Sequence, residues 1–309
     1  MSKKLYIVGN GFDLWHELPT SYGHFSEFAH SLLSEIENYY ALDFNNYNPW
    51  HDFENALGDF DPDAFFDSYN EIDASADDFR LSFLYGLEDE ITEQTNKHVD
   101  SIREAFTDWV NQIDVSKAIA KLKFPEQSLF MSFNYTSTLQ TVYGINGKQI
   151  LHVHGNSENL DELIFGHGEE IREIPEYDED GETTGDMFSD AKGNARYPLY
   201  ALKKPVDEVL ARYEGYFDKL SNVEDVIVIG HSLNKIDRPY FVRINEVASD
   251  AMWTVVYYHE EQQTDLIQSL TGCGVNPEHI KCYEYDIWIS QIKTDLEGAE
   301  TTHMHSIVC

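Results

Sequence analysis

Six short apolar runs, each bounded by polar residues, punctuate the chain: Leu5 to Val8, Leu129 to Phe133, Ile150 to Val153, Leu163 to Phe165, Val226 to Ile229 and Trp253 to Tyr258. Their apolar character is continuous rather than alternating, which predicts strands covered on both faces, as in a parallel α/β sheet. Several runs end directly in Gly, Asn or His, so polar residues gather where the strands stop. Between the first two runs the period changes. Phe25, Phe28, Ala29, Leu32, Leu33 and Ile36 recur at three and four, as do Val99, Ile102, Phe106, Trp109, Val110 and Ile113, which predicts amphipathic helices. The intervening stretch from Asp43 to Asp78 mixes Trp50, Phe53, Phe60, Phe65, Phe66 and Tyr69 with many acids. Those aromatics are expected in a helical core. The resulting plan is an α/β core from residues 1–23 and 126–295, a helical insertion over 24–125, and a weakly patterned tail over 296–309. Residues 176–194, acidic and glycine-containing, have the composition of an exposed loop.

Length and composition change this picture little, since 309 residues with 42% hydrophobic content can bury a sizeable core. Charge changes it more. Against 56 acidic side chains stand 21 basic ones, a net of −35, and such a surface repels phosphate backbones and anionic lipid. General nucleic-acid or membrane binding is therefore not expected. The three cysteines, Cys273, Cys282 and Cys309, have no Cys-x-x-Cys spacing and cannot build a disulfide framework or a four-thiolate zinc site. A reducing compartment fits. The opening apolar run breaks at glycine before reaching signal-peptide length, and no other run approaches bilayer length, so the cytoplasm is the expected location.

Four constellations carry candidate chemistry, each at the end of a predicted strand. The first is Gly9-Asn10-Gly11-Phe12-Asp13, where a strand turns into a helix-compatible segment. Gly-x-Gly at such a place lets a backbone approach a pyrophosphate, or simply makes a tight turn. The third glycine of the dinucleotide fingerprint is replaced by Leu14, and no acid ends a strand about 20 residues later, which disfavours an ordinary dehydrogenase. The second and third are Ser132-Phe133-Asn134-Tyr135-Thr136 and His152-Val153-His154-Gly155-Asn156. Two neighbouring strands would deliver them to one crevice, although an isolated Asn here can cap a helix and an isolated His can pin a turn. The fourth is Gly230-His231-Ser232, followed by Asp237. His259 and Glu260 follow the last strong strand and could reach an adenosine, though exposure is their ordinary fate.

Taken together these motifs carry a resemblance. The opening YIVGNGFDLWHELPTSYGHF resembles the signature of the AbiH family of bacterial abortive-infection proteins. The order of Gly-x-Gly, Phe-Asn134-Tyr, His154-Gly155 and Gly230-x-Ser232 is similar to the sirtuin-like domains of bacterial anti-phage defence. The first resemblance spans most of the chain, the second only the strand ends. Together they imply an α/β, Rossmann-like, sirtuin-type parallel sheet with a large helical insertion. They further imply an NAD+ glycohydrolase that releases nicotinamide and ADP-ribose, with NAD as substrate and no metal. By motif, Asn134 and His154 would be catalytic, while Gly9, Asn10, Gly11, Phe12, Asp13, Gly230, His231 and Ser232 would hold the dinucleotide. Asp13 stands where sirtuins usually carry serine. Deacylation is not implied, because sirtuin deacylases carry a four-cysteine zinc module that three cysteines cannot make.

The chemistry suits these residue types. Cleaving the nicotinamide–ribose bond builds positive charge on the sugar while the leaving group departs neutral, so no strong acid is needed. An amide at Asn134 orients ribose hydroxyls and water, and an imidazole at His154 accepts a proton. His152 rivals it, since residues two apart on a strand share a face, and His167 is a third candidate base. An unregulated enzyme of this kind would poison its host, which leads to the expectation of an inactive resting state controlled by homo-oligomerisation or a partner protein. Two other readings stand beside it: a nucleotide-binding sensor without turnover, and a nucleic-acid-directed toxin, which the net charge disfavours.

Overall fold

The computed structural model describes residues 3–45, 47–159, 162–173, 175, 177 and 182–292. The tail expected over 296–309, the end of the core at 293–295 and part of the acidic loop lie outside these residues. Six strands, β1 (Lys3–Val8), β2 (Leu129–Ser132), β3 (Ile150–His152), β4 (Val223–Ile229), β5 (Met252–Tyr257) and β6 (Ile280–Glu284), form one sheet in the order β3-β2-β1-β4-β5-β6. Every pairing is parallel, from Ser132 opposite His152 at one side to Tyr257 opposite Glu284 at the other. This is the order of doubly wound sheets, whose direction of winding reverses between β1 and β4.

Continuous apolar runs become strands here because both faces are covered. Leu5, Ile7, Phe130, Val226, Val228, Ile229 and Trp253 are fully buried. Burying each such side chain contributes about 1.5–3 kcal/mol relative to exposure. On one face Tyr6, Val8, Phe12, Phe130, Ile227, Ile229 and Val256 pack into a single cluster with Tyr285 and Trp288 of the helical turn at 285–292. β6 escaped the sequence reading because it is an edge strand, IKCYE, only half-buried and interrupted by charge.

The chain divides into two compact units, one of residues 1–20, 113–163 and 205–309 and one of residues 21–112 and 164–204. The first holds the sheet. The second is helical and aromatic: Phe53 stacks on Phe106 at 5.7 Å, Phe25 meets Phe53 edge-on at 4.6 Å, and Phe65 and Trp50 are buried. Its long helix, Ser82–Asn111, starts well before the periodic stretch that revealed it, while the pattern from Phe25 to Ile36 is split between Tyr22–Phe28 and His30–Ile36. Two expectations are corrected. Leu163 to Phe165 does not join the sheet; Phe165 belongs to the second unit's core, 4.2 Å from Phe106. Part of the expected loop over 176–194 is the helix Ser189–Ala195, because Ala191 and Ala195, one turn apart, bury against Ser82–Asn111. Among the described residues no helix is long and apolar enough to cross a membrane.

Candidate functional site

Ligands of doubly wound sheets bind beyond the carboxyl ends of the strands, where the winding reverses. At that point the turn after β1 meets the turn after β4, and the two are bonded directly. Gly9 N donates to Ile229 O at 3.1 Å and Gly11 N to Gly230 O at 2.8 Å. A Cβ on Gly9 would lie 2.7 Å from His231 Cα, and one on Gly11 2.8 Å from Gly230 Cα. Gly230 adopts φ +65°, and a Cβ there would meet Phe12 N at 2.3 Å. These three glycines are therefore demanded by protein packed against protein, and the Gly9 and Gly11 amides are committed inside the fold. Tyr258 at the end of β5 adds a hydroxyl donated to Gly11 O at 3.0 Å.

The other residues expected to hold a dinucleotide divide the same way. Phe12 is fully buried in the sheet's core, 4.6 Å from the His16 ring. His231 lies between Phe133 at 4.3 Å and Phe241 at 5.0 Å, and its Nδ1 accepts the Leu233 amide at 2.9 Å. Leu233 pays for that bond with a left-handed backbone, φ 56°. Asn10 and Ser232 are exposed on their two turns and keep their side chains available to a ligand. His259 and Glu260 are exposed.

Behind these turns Asp13, only 1% exposed, sits against the residues that follow β2. Thr136 Oγ1 donates to Asp13 Oδ2 at 2.5 Å, and the side chains of Thr138 and Asn134 also bond to the carboxylate. Burial outweighs those three donors and pushes the Asp13 carboxyl up to about 6. Its Oδ1 and the Oδ1 of Asn134 are both buried acceptors without a hydrogen-bond partner. In native proteins such groups call for explanation, and a ligand is one.

The three candidate histidines separate clearly. His152 Nδ1 bonds to Asn134 O at 3.3 Å, which puts a proton on Nδ1, and its Nε2 lies 2.7 Å from Gln140 Nε2 and 3.1 Å from Asn156 Nδ2. Both ring nitrogens are thus engaged in fastening the strand ends. His167 belongs to the helical unit; its Nε2 donates to Leu199 O at 2.8 Å, its Nδ1 accepts the Glu169 amide, and burial holds it below the usual histidine range. His154, 3% exposed, has Nε2 3.4 Å from Asp237 Oδ1, and the other oxygen of that carboxylate is 3.6 Å from His231 Nε2. Asp237 thus faces two imidazoles from different turns. Sequence alone gives Asp237, which follows the β4 turn, no role, because no local pattern signals a partner delivered by the turn after β3.

The described residues of the sheet unit also border a cleft of about 260 Å³ lined by Lys4, Tyr6, Asp225, Thr254, Tyr283 and Trp288 among others, and by none of these groups. Among the described residues no three His, Cys, Asp or Glu side chains converge as a metal site.

No curated protein and no solved structure matches this chain. The sequence model for the bacteriophage abortive infection family AbiH matches residues 5–258, which takes in β1 through β5 and the turns described above. The chain belongs to the AbiH family of bacteriophage abortive infection.

Proposed function

We propose that the protein is an abortive-infection effector with a sirtuin-like core that hydrolyses NAD+ to nicotinamide and ADP-ribose. The observation that carries this reading is that Asn134, with an unpartnered amide oxygen beside Asp13, and His154, facing Asp237, follow the neighbouring strands β2 and β3 at the carboxyl edge of one parallel sheet. In the reaction the bond between ribose C1′ and the pyridinium nitrogen breaks and its electron pair leaves with nicotinamide. Water supplies the new C1′–O bond, and its proton passes to His154. Asn134 orients the ribose hydroxyls and the water, while Asn10 and Ser232 are the exposed polar groups available to the pyrophosphate. Sirtuin-like phosphate binding through the Gly9 and Gly11 amides finds no support, since both are bonded within the protein.

The deep burial of Asn134 and His154, 5% and 3% exposed, supports a resting state that must open before turnover. Opening would be controlled by self-association or by a partner protein. The same burial favours the second reading, a sensor that holds a nucleotide without consuming it.

Release of nicotinamide from NAD+ by the purified chain, with and without extract of phage-infected cells, separates the two. Asn134→Ala and His154→Ala are each expected to lower the release rate by a hundredfold or more, about 3 kcal/mol of transition-state stabilisation, while the proteins remain folded. Wild-type protein that kills its host with NAD+ levels unchanged would remove the hydrolase reading.

A further inference from the structure

We propose that Asp13 is the buried counter-charge of this site, facing the cationic nicotinamide–ribosyl end of the dinucleotide and selecting the oxidised ring over the reduced one. The inference rests on the NAD reading above and gives it a specificity-determining residue.

Its basis is an imbalance of charge. The carboxylate is 1% exposed, and no Lys, Arg or His among the described residues forms an ion pair with it. Facing it are neutral donors only: the hydroxyls of Thr136 and Thr138 and the amide of Asn134. The titratable neighbour on its own helix, His16, is turned away, with Nδ1 on Phe12 O at 2.7 Å and Nε2 on the Tyr143 hydroxyl at 2.7 Å. A buried carboxylate without a cation is costly, and a neutral residue would fasten the same turn at less expense. The raised proton affinity of Asp13 is the trace of that cost.

Two acceptor oxygens lie unpartnered in this one cluster, Oδ1 of Asp13 and Oδ1 of Asn134. They suit a ligand that brings positive charge together with hydroxyl donors. NAD+ brings both, a pyridinium ring and a ribose diol. NADH brings the diol and a neutral ring. As the glycosidic bond breaks, the positive charge moves from the ring to the sugar, and a fixed carboxylate in a water-poor site stabilises it there.

The test uses the full chain with NAD+ and NADH as probes in calorimetric titrations, alongside nicotinamide release in the presence of infected-cell extract. Wild-type protein near about pH 8, where the carboxyl is ionised, is expected to bind NAD+ at least about tenfold more tightly than NADH, and to lose that preference near about pH 5. Asp13→Asn is expected to bind the two equally and to release nicotinamide at least about a hundredfold more slowly. Thr136→Val, which removes one donor from the carboxylate, should move the onset of the preference to higher pH. If Asp13→Asn keeps the preference or the wild-type rate while Asn134→Ala is inactive, the counter-charge role is overturned and the hydrolase reading stands. If wild type prefers NAD+ yet releases no nicotinamide with extract, the hydrolase reading falls and the counter-charge stands. Wild type that binds neither probe and releases no nicotinamide with extract overturns both.

Discussion

Asp13 carries a cost that can be measured without any substrate. Its carboxyl sits at about 6 in the fold against 3.8 ordinarily, so the folded chain holds that proton more tightly than the unfolded one. The fold therefore benefits below pH 3.8 and loses the benefit as pH rises through about 6; a difference of about two units corresponds to about 3 kcal/mol. Asp13→Asn should accordingly be more stable than wild type by an amount of that order at neutral pH, and about equal to it near about pH 4. The raw pH curve of the wild type would hide this. His98 in the helical unit, pressed by burial to about 4, gives the opposite response: its contribution is complete above pH 6.5 and is lost as pH falls towards 4. Subtracting the two proteins' denaturation free energies at each pH cancels His98 and leaves Asp13. A gain that persists undiminished into acid would mean that the carboxylate's ionisation is not its source.

At the scale of elements, the turns after β1 and β4 are held together by glycines, and that packing is testable apart from function. In Gly11→Ala the new methyl would lie 2.8 Å from Gly230 Cα and 3.0 Å from Gly230 O, both backbone atoms that cannot swing aside. Such overpacking costs about 1–3 kcal/mol, so its urea midpoint should fall well below that of wild type. Gly193→Ala, inside Ser189–Ala195 with nothing within 4 Å, should instead gain about 0.5–1 kcal/mol. Equal midpoints for the two would deny the contact between the turns. The same glycines mark how far sequence could lead. Strand cores such as Leu5 to Val8 were legible, because a continuous apolar run of strand length that is closed at once by glycine fits a strand buried on both faces. The duty of Gly9 and Gly11 was not, because Gly-x-Gly is written identically whether the neighbour is a phosphate or another turn. Asp237 was invisible as the partner of His154 for a related reason: the pairing joins the turns after β3 and β4, and strand order is not written in local pattern. Phe165 misled because a short apolar run fits an aromatic helical core as well as it fits a strand.

For the whole molecule, 56 acidic and 21 basic side chains leave many carboxylates with no cation to pair with. Ion pairs among the described residues include exposed ones, as between Lys117 and Asp114 or Lys192 and Asp186, and such pairs contribute only about 0–1 kcal/mol. Lys204 and Glu54, at 3.0 Å with side chains 0% and 7% exposed, form a buried pair that salt reaches little. Screening therefore acts chiefly on repulsion. Between about 0.01 M and about 1 M salt the Debye length shrinks from roughly 30 Å to roughly 3 Å, which removes long-range repulsion first and exposed pairs last. The expected result is a Tm that climbs steadily with sodium chloride, with most of the rise at the low end of the series. Stabilisation through water structure behaves differently: it is small at low salt, grows towards the high end and depends on which anion is used. Sodium sulfate matched to chloride in ionic strength should therefore give the same early rise if charge is the cause. A Tm that falls over that early range would show that attraction between neighbouring side chains outweighs net repulsion, and the acidic surface would then be a paired one.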